Sequence, residues 1–231
     1  MISIESVKQY YGGTQILWDL DLEVERGSVT CIMGRNGVGK TTLLKCLMGL
    51  LPVSAGQIQV DGVDYTHSSA ESRARGGIGY VPQGRDIFPL LTVEENLKIA
   101  LGSRPDRSRK IPERIFDLFP VLAEMMNRRG GDLSGGQQQQ LAIGRALVLD
   151  PKVLILDEPN EGIQPNIVQQ IGDVILKLNA EENLTVVLVE QKLGFARRVG
   201  QEFRLMEKGR VVATGAMAGL TDELVAKHLA V

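Results

Sequence analysis

The sequence predicts an α/β fold. A mostly parallel sheet with helices on both faces is joined by an antiparallel N-terminal β-subdomain and an α-helical subdomain at about 84–147. Three observations lead there. Short, almost wholly apolar segments at Ser28–Met33, Val153–Leu156 and Thr185–Val189 read as strands buried on both faces. Stretches of helical spacing alternate with them along the chain. Residues 2–7 and 16–24, by contrast, alternate like antiparallel strands around the turn-rich Tyr11-Gly12-Gly13.

The elements follow in order. After the strand at Ser28–Met33 comes a glycine-rich turn, 34–39. Lys40–Gly49 then reads as a helix with Leu43, Leu44 and Leu47 on one side. Ile78–Val81 is a strand stopped by Pro82. From about 92 to 148 the pattern is helical. Thr92 is placed to cap a helix whose first turn carries Glu94 and Glu95. Residues 102–112 are polar and basic, with Pro105 and Pro112, and predict an exposed loop. Ser134 caps a helix running to about Leu149, and Ile167–Leu178 has helical spacing. Phe203–Glu207 and Arg210–Ala213 flank Lys208-Gly209 as a hairpin, and Thr221 caps a last amphipathic helix. No internal repeat is visible, and Gln137–Gln140 is too short for a low-complexity tract.

Composition narrows the class. A chain of 231 residues with 43% apolar content suits a single domain, 1–231, with a subdomain inserted in its core. A net charge of −2 does not suit a nucleic-acid binder. Cys31 and Cys46 form no disulfide framework, which favours a reducing compartment, and both read as small buried hydrophobes. No apolar run reaches spanning length, and the N-terminus lacks a basic start followed by an apolar stretch. The chain is therefore expected in the cytosol, as a peripheral subunit if it works at a membrane. His67 and His228 read as surface residues.

The turn Gly34-Arg35-Asn36-Gly37-Val38-Gly39-Lys40-Thr41 fits G-x-x-x-x-G-K-[ST] between a strand and a helix. Its glycines let backbone N–H groups curl around phosphate oxygens. Lys40 adds a point charge for the β- and γ-phosphates, and Thr41 a hydroxyl for Mg²⁺; Thr42 follows at the same helix start. A glycine turn before a helix is common, but the complete motif in this context signals a nucleoside triphosphate. Asp157 and Glu158 end the buried strand 153–156, at the edge where such sheets bind ligands. Asp157 suits Mg²⁺, and because Mg²⁺ keeps much of its water shell a water-bridged contact is expected. Glu158 suits polarisation of the attacking water. Acid pairs at strand ends are frequent; the phosphate loop gives this one meaning.

Leu133-Ser134-Gly135-Gly136-Gln137, ahead of that acidic strand, narrows the choice. With the phosphate loop it resembles the ATP-binding subunit of ABC transporters over nearly the whole chain. The resemblance implies a P-loop NTPase core with a RecA-like sheet, and ATP and Mg²⁺ as cofactors. It implies that Ser134, Gly135, Gly136 and Gln137 bind the γ-phosphate held by an opposite subunit. The hydroxyl, glycine N–H groups and helix N-terminus there suit an anion. The active unit would be a head-to-tail dimer with a second ATP-binding subunit, identical or not, enclosing two ATP molecules. Gln83 matches the family's glutamine that meets Mg²⁺ or the attacking water. Tyr11 matches the aromatic that stacks on adenine, with Tyr10 adjacent so that the assignment can slip by one.

Two positions depart from the pattern. Gln191 stands where the family usually has a histidine on the γ-phosphate, and Gln164 where it has an aspartate. Glutamine donates a hydrogen bond but cannot become cationic. Both changes resemble the second ATPase subunit of branched-chain amino acid and urea importers. Leu17-Trp18-Asp19-Leu20, Gly84–Pro89 and Asp157–Pro165 look most like the urea type, with branched-chain amino acid import as the alternative. The implied partners are two transmembrane permease subunits, meeting the surface near Arg85–Thr92, and indirectly a periplasmic solute-binding protein. The implied place is the cytoplasmic face of the inner membrane. Related ATPases of DNA repair or translation carry a long coiled-coil insertion or two ATPase domains, neither visible here. A nucleotide sensor with little turnover is the remaining rival, against which Glu158 speaks.

Overall fold

The structure, a computed structural model, describes residues 1–104, 106 and 108–229. β1 (Ile2–Tyr11) and β2 (Thr14–Val24) pair antiparallel from Ile2↔Val24 to Tyr11↔Thr14. The buried positions of β1 switch from Ile2 and Ile4 to Val7 and Gln9, because a bulge at Ser6, with φ 48°, resets the alternation. β3 (Val29–Met33) is buried throughout and leads through the glycine turn into α1 (Lys40–Leu47). β4 (Ala55–Val60), β5 (Val63–Asp64) and α2 (Ala70–Arg75) precede β6 (Ile78–Val81). The helical stretch comprises α3 (Val93–Leu101), α4 (Arg114–Leu118), α5 (Pro120–Glu124) and α6 (Gly135–Leu147). β7 (Val153–Asp157), α7 (Pro165–Glu182) and β8 (Thr185–Val189) alternate as expected, and α8 (Leu193–Val199), which the spacing did not mark, follows them. The hairpin β9 (Glu202–Glu207) and β10 (Arg210–Ala216) and then α9 (Asp222–His228) close the chain.

Two sheets result. The antiparallel sheet has the order β2-β1-β4-β5, and the larger one β10-β9-β3-β8-β7-β6, parallel except for β10 at its edge. The register brings Ile32 beside Val189, Val189 beside Asp157, and Leu156 beside Val81. The C-terminal ends of β3, β8, β7 and β6 therefore lie along one edge, where an α/β sheet offers a crevice. Alternation within these strands feeds two cores. Leu154, Leu156, Val186 and Leu188 pack with α3–α8, while Val153, Ile155, Val187 and Val189 pack with α1 and the antiparallel sheet.

Several expectations change. The antiparallel sheet has four strands where the alternation marked two; Ala55-Gly-Gln-Ile-Gln-Val60 carries too few apolar residues to announce a strand by itself. α2 is polar and hangs on one buried side chain, Arg73, which donates to the carbonyls of Cys46, Leu47, Ser68 and Thr66. No described residue of 102–112 lies in a strand or helix, and Pro105 falls outside the described residues. Arg104 is not the exposed residue expected: its guanidinium is largely buried and donates to the Val148 carbonyl at 2.6 Å. Thr92 and Ser134 cap their helices, each within a reciprocal box closed by Glu95 or Gln137. Thr221 accepts from the Leu224 N–H, as a cap should. His67 is exposed, but His228 is not a surface residue; its ring is mostly covered, 3.1 Å from Glu207 Oε2. Cys31 and Cys46 are buried, and burial pushes both thiols up to about 12. Among the described residues no helix is long and apolar enough to cross a membrane.

Candidate active site

A cleft of about 700 Å³ opens at the C-terminal ends of the parallel strands. It is lined by Asn36, Gly37, Gly39, Lys40, Thr41 and Thr42 from the glycine turn and α1, with Gln83, Glu158 and Gln191 from three neighbouring strand ends. The turn is possible because Gly37 and Gly39 take φ of 78° and 106°, a region side chains disfavour. Gly34 is needed for a different reason, since a Cβ there would run into the Met206 carbonyl oxygen. Gly34 and Arg35 face an adjoining hollow of about 310 Å³ rather than the main cleft. Val38 packs against the second core, and its carbonyl accepts from Gly209 N–H.

Lys40 is buried, and its Nζ donates to the carbonyls of Gly34 at 2.8 Å and Arg35 at 2.9 Å. Two of its three protons are thus spent on the loop, and one remains for an anion. Burial lowers its pKa, while Glu158 and Asp157 pull it back up. Asp157 is 1% exposed, and neither carboxylate oxygen has a hydrogen-bond partner. Burial, with help from Glu158, lifts its pKa to about 6; the Thr41 hydroxyl, Lys40 and Lys45 oppose that. A buried, unpartnered carboxylate beside a hydroxyl is a set of hard oxygen donors, which fits Mg²⁺. Among the described residues no three His, Cys, Asp or Glu side chains cluster into a metal cage. A Mg²⁺ here would thus complete its shell with phosphate and water oxygens.

Glu158 sits at φ 49°, a strained value for a residue with a Cβ, and its N–H is held by the Val189 carbonyl. Gln191 Nε2 donates to Glu158 Oε1 at 2.6 Å. Gln83 Nε2 donates to Glu161 Oε2 at 2.9 Å, which leaves its amide oxygen facing elsewhere. These side chains lie just past the ends of β6, β7 and β8 and share the cleft because those strands are neighbours.

Not every candidate lies here. Ser134 caps α6, with Gly135 under the Arg85 guanidinium and Gly136 pressed on Ile167, and neither they nor Gln137 line the cleft. Tyr11 and Tyr10 are 47% and 40% exposed and also lie outside the lining; Ile16 is the N-terminal-sheet residue that reaches it. Gln164 stands at the N-cap of α7 without a side-chain capping bond. Sequence reasoning missed Glu161, Glu190 and Lys192 of the lining and buried Asn160 behind them. Glu190 carried a readable signal, an acidic residue directly after an all-apolar strand, the same pattern that marked Asp157.

The comparisons agree with this geometry. The family model described as "ABC transporter" matches residues 17–161, more than half of the chain. The chain is 41% identical over 221 residues to the high-affinity branched-chain amino acid transport ATP-binding protein BraG of Pseudomonas aeruginosa, covering 94% of each. It is 36% identical to the glutamate/aspartate import ATP-binding protein GltL of Escherichia coli, covering 96% of this chain and 94% of that one. A solved dimeric ATP-binding cassette in a post-hydrolysis state, bound to ADP and Pi, superposes with a TM-score of 0.85 at 26% identity, covering 95% of this chain and 100% of that one. A glycine loop with its lysine at a strand end, a partnerless buried aspartate beside it and a matching family over most of the length lead to one conclusion: the chain belongs to the ABC transporter family, as one of its ATP-binding, ATP-hydrolysing proteins.

Proposed function

We propose that this ATPase powers the import of amino acids, branched-chain amino acids first, through permease subunits it joins at the membrane. The observation that carries the reading is the 41% identity to a branched-chain amino acid transport ATP-binding protein, spread over 94% of both chains. A probable branched-chain amino acid transport protein of Archaeoglobus fulgidus, 40% identical, supports it. Urea, which the segments 17–20, 84–89 and 157–165 suggest, is the second reading and has no support from these relatives.

At the site, Lys40 and the N–H groups of 37–42 bind the β- and γ-phosphates. Thr41, Asp157 and the Gln83 amide oxygen hold Mg²⁺, which neutralises phosphate charge when bound. Glu158 takes the attacking water's proton, and Gln191 orients its carboxylate. Ser134–Gln137 lie outside the chain's own cleft, which suits closing over the ATP of a second ATP-binding subunit; Tyr11 would stack on adenine. A solute-binding protein would feed the permease from the other side.

Uptake of labelled leucine and labelled urea, in cells lacking the gene and restored with the native chain or with Lys40→Ala, tests this. Leucine uptake rescued only by the native chain is the expected result. Urea rescue instead would replace the substrate, and equal rescue by Lys40→Ala would remove the ATP-driven role.

A further inference from the structure

A second carboxylate is buried beside the reacting one. Glu190 directly follows β8 and is 3% exposed. Its Oε1 accepts from the backbone N–H groups of Gln191 and Lys192, both at 2.9 Å, and its Oε2 accepts from Asn160 Nδ2 at 2.8 Å. Asn160 is fully buried in the turn that follows Glu158. Its carbonyl accepts from Lys192 Nζ at 2.9 Å, so the two turns are tied in both directions. Burying a carboxylate is costly, and these three hydrogen bonds offset part of that cost.

The bonds go to two catalytic-edge turns and not to the surrounding helices. One turn carries Glu158 and the other Gln191, whose amide reaches Glu158 at 2.6 Å. Glu158 is also held at φ 49°, a conformation that persists only if neighbours impose it. We propose that Glu190 and Asn160 form a buried clamp that sets the distance between these turns, so that Gln191 holds the Glu158 carboxylate in position to polarise water. Both are positioning residues and act through Gln191 and Glu158. The proposal rests on the reading of Glu158 as the group that takes the proton.

The orientation of the pair gives the test. Glu190 accepts and Asn160 donates. Asn160→Asp sets two carboxylates face to face, and Glu190→Gln sets two amide donors face to face while keeping the Oε1 bonds to the backbone. Combining Asn160→Asp with Glu190→Gln exchanges donor and acceptor and restores the bond. The full chain is assayed for ATP hydrolysis over a range of ATP concentrations.

Because small misplacements of reacting groups cost up to about 10²-fold in rate, Asn160→Asp should lower kcat by about ten- to a hundredfold and Glu190→Gln by about three- to tenfold. KM for ATP should stay within about twofold of native, since phosphate binding is untouched. The double variant should recover to within about threefold of native, which general loosening of the fold would not produce. Glu190→Gln conserves size, so its kcat and KM are readable even if Asn160→Asp folds poorly alone.

Native kcat in both single variants, a double variant no faster than its slower parent, or a raised KM at native kcat overturns the clamp. Glu158→Gln is measured alongside. A native rate there removes the reading on which the clamp rests, whereas an inactive Glu158→Gln beside two native-rate clamp variants removes the clamp alone.

Discussion

Asp157→Asn should make the nucleotide-free protein more stable while removing its Mg²⁺-dependent function. Both carboxylate oxygens of Asp157 are buried without a partner, and its pKa rises from an ordinary 3.8 to about 6. The folded value lies above the unfolded one, so the native state binds the extra proton. The stability this gives is complete below about pH 3.8 and is lost as pH rises through about 6. At pH 7 the ionised carboxylate thus weighs against the fold by roughly 3 kcal/mol, at 1.36 kcal/mol for each pKa unit. Asparagine keeps the shape and removes the charge.

The assay is urea denaturation without Mg²⁺ or nucleotide, from pH 4 to 8. With an m-value of roughly 2–3 kcal/mol/M, the variant's midpoint should lie about 1 M above native at pH 7, and the gap should close towards pH 4. Mg·ATP at a hundred times its Kd should then stabilise the native chain by about 2.7 kcal/mol and the variant far less. A variant less stable than native at pH 7, or a gap that does not change with pH, would refute the reasoning.

Three other outcomes follow from the structure. Glu158→Gln should lose about 10²- to 10⁴-fold in kcat yet retain ATP binding, read by single-turnover hydrolysis and equilibrium binding of a fluorescent nucleotide. Gly209→Ala should destabilise the chain by more than about 2 kcal/mol, because Gly209 has φ 75° and a Cβ there overlaps the Ile16 carbonyl oxygen. Ile16 lines the cleft, so KM for ATP should rise as well; a native KM and melting temperature would count against this packing. Arg73→Met should cost about 3 kcal/mol or more by leaving the carbonyls of Leu47 and Thr66 unpaired in the interior, with little change in KM, as thermal denaturation and steady-state kinetics can verify.

Particular residues explain what was legible. The phosphate loop could be read because its chemistry is local: glycines at fixed spacing, then Lys40 and Thr41 at a helix start. The apolar runs of β3, β7 and β8 could be read because burial on both faces leaves no room for alternation. The caps Thr92, Ser134 and Thr221 were legible because each bonds within three residues of itself. α2 and β5 were not, since α2 is held by Arg73 reaching distant carbonyls and β5 by pairing with β4 alone. Arg104 and His228 were misread because a charged or imidazole side chain in a polar segment gives no sign of the carbonyl or carboxylate waiting across the fold.

The sequence by itself determined the α/β class, the phosphate loop, the acidic strand end and the family, since each depends on residue types at short spacing. Only the tertiary structure decided that Gln191 bonds Glu158, that Asp157 has no partner, and that Glu190 and Asn160 join the two turns. Those facts depend on β7 and β8 lying side by side with Asp157 opposite Val189. That register is fixed by the packing of two cores against one sheet, which no local pattern along the chain encodes.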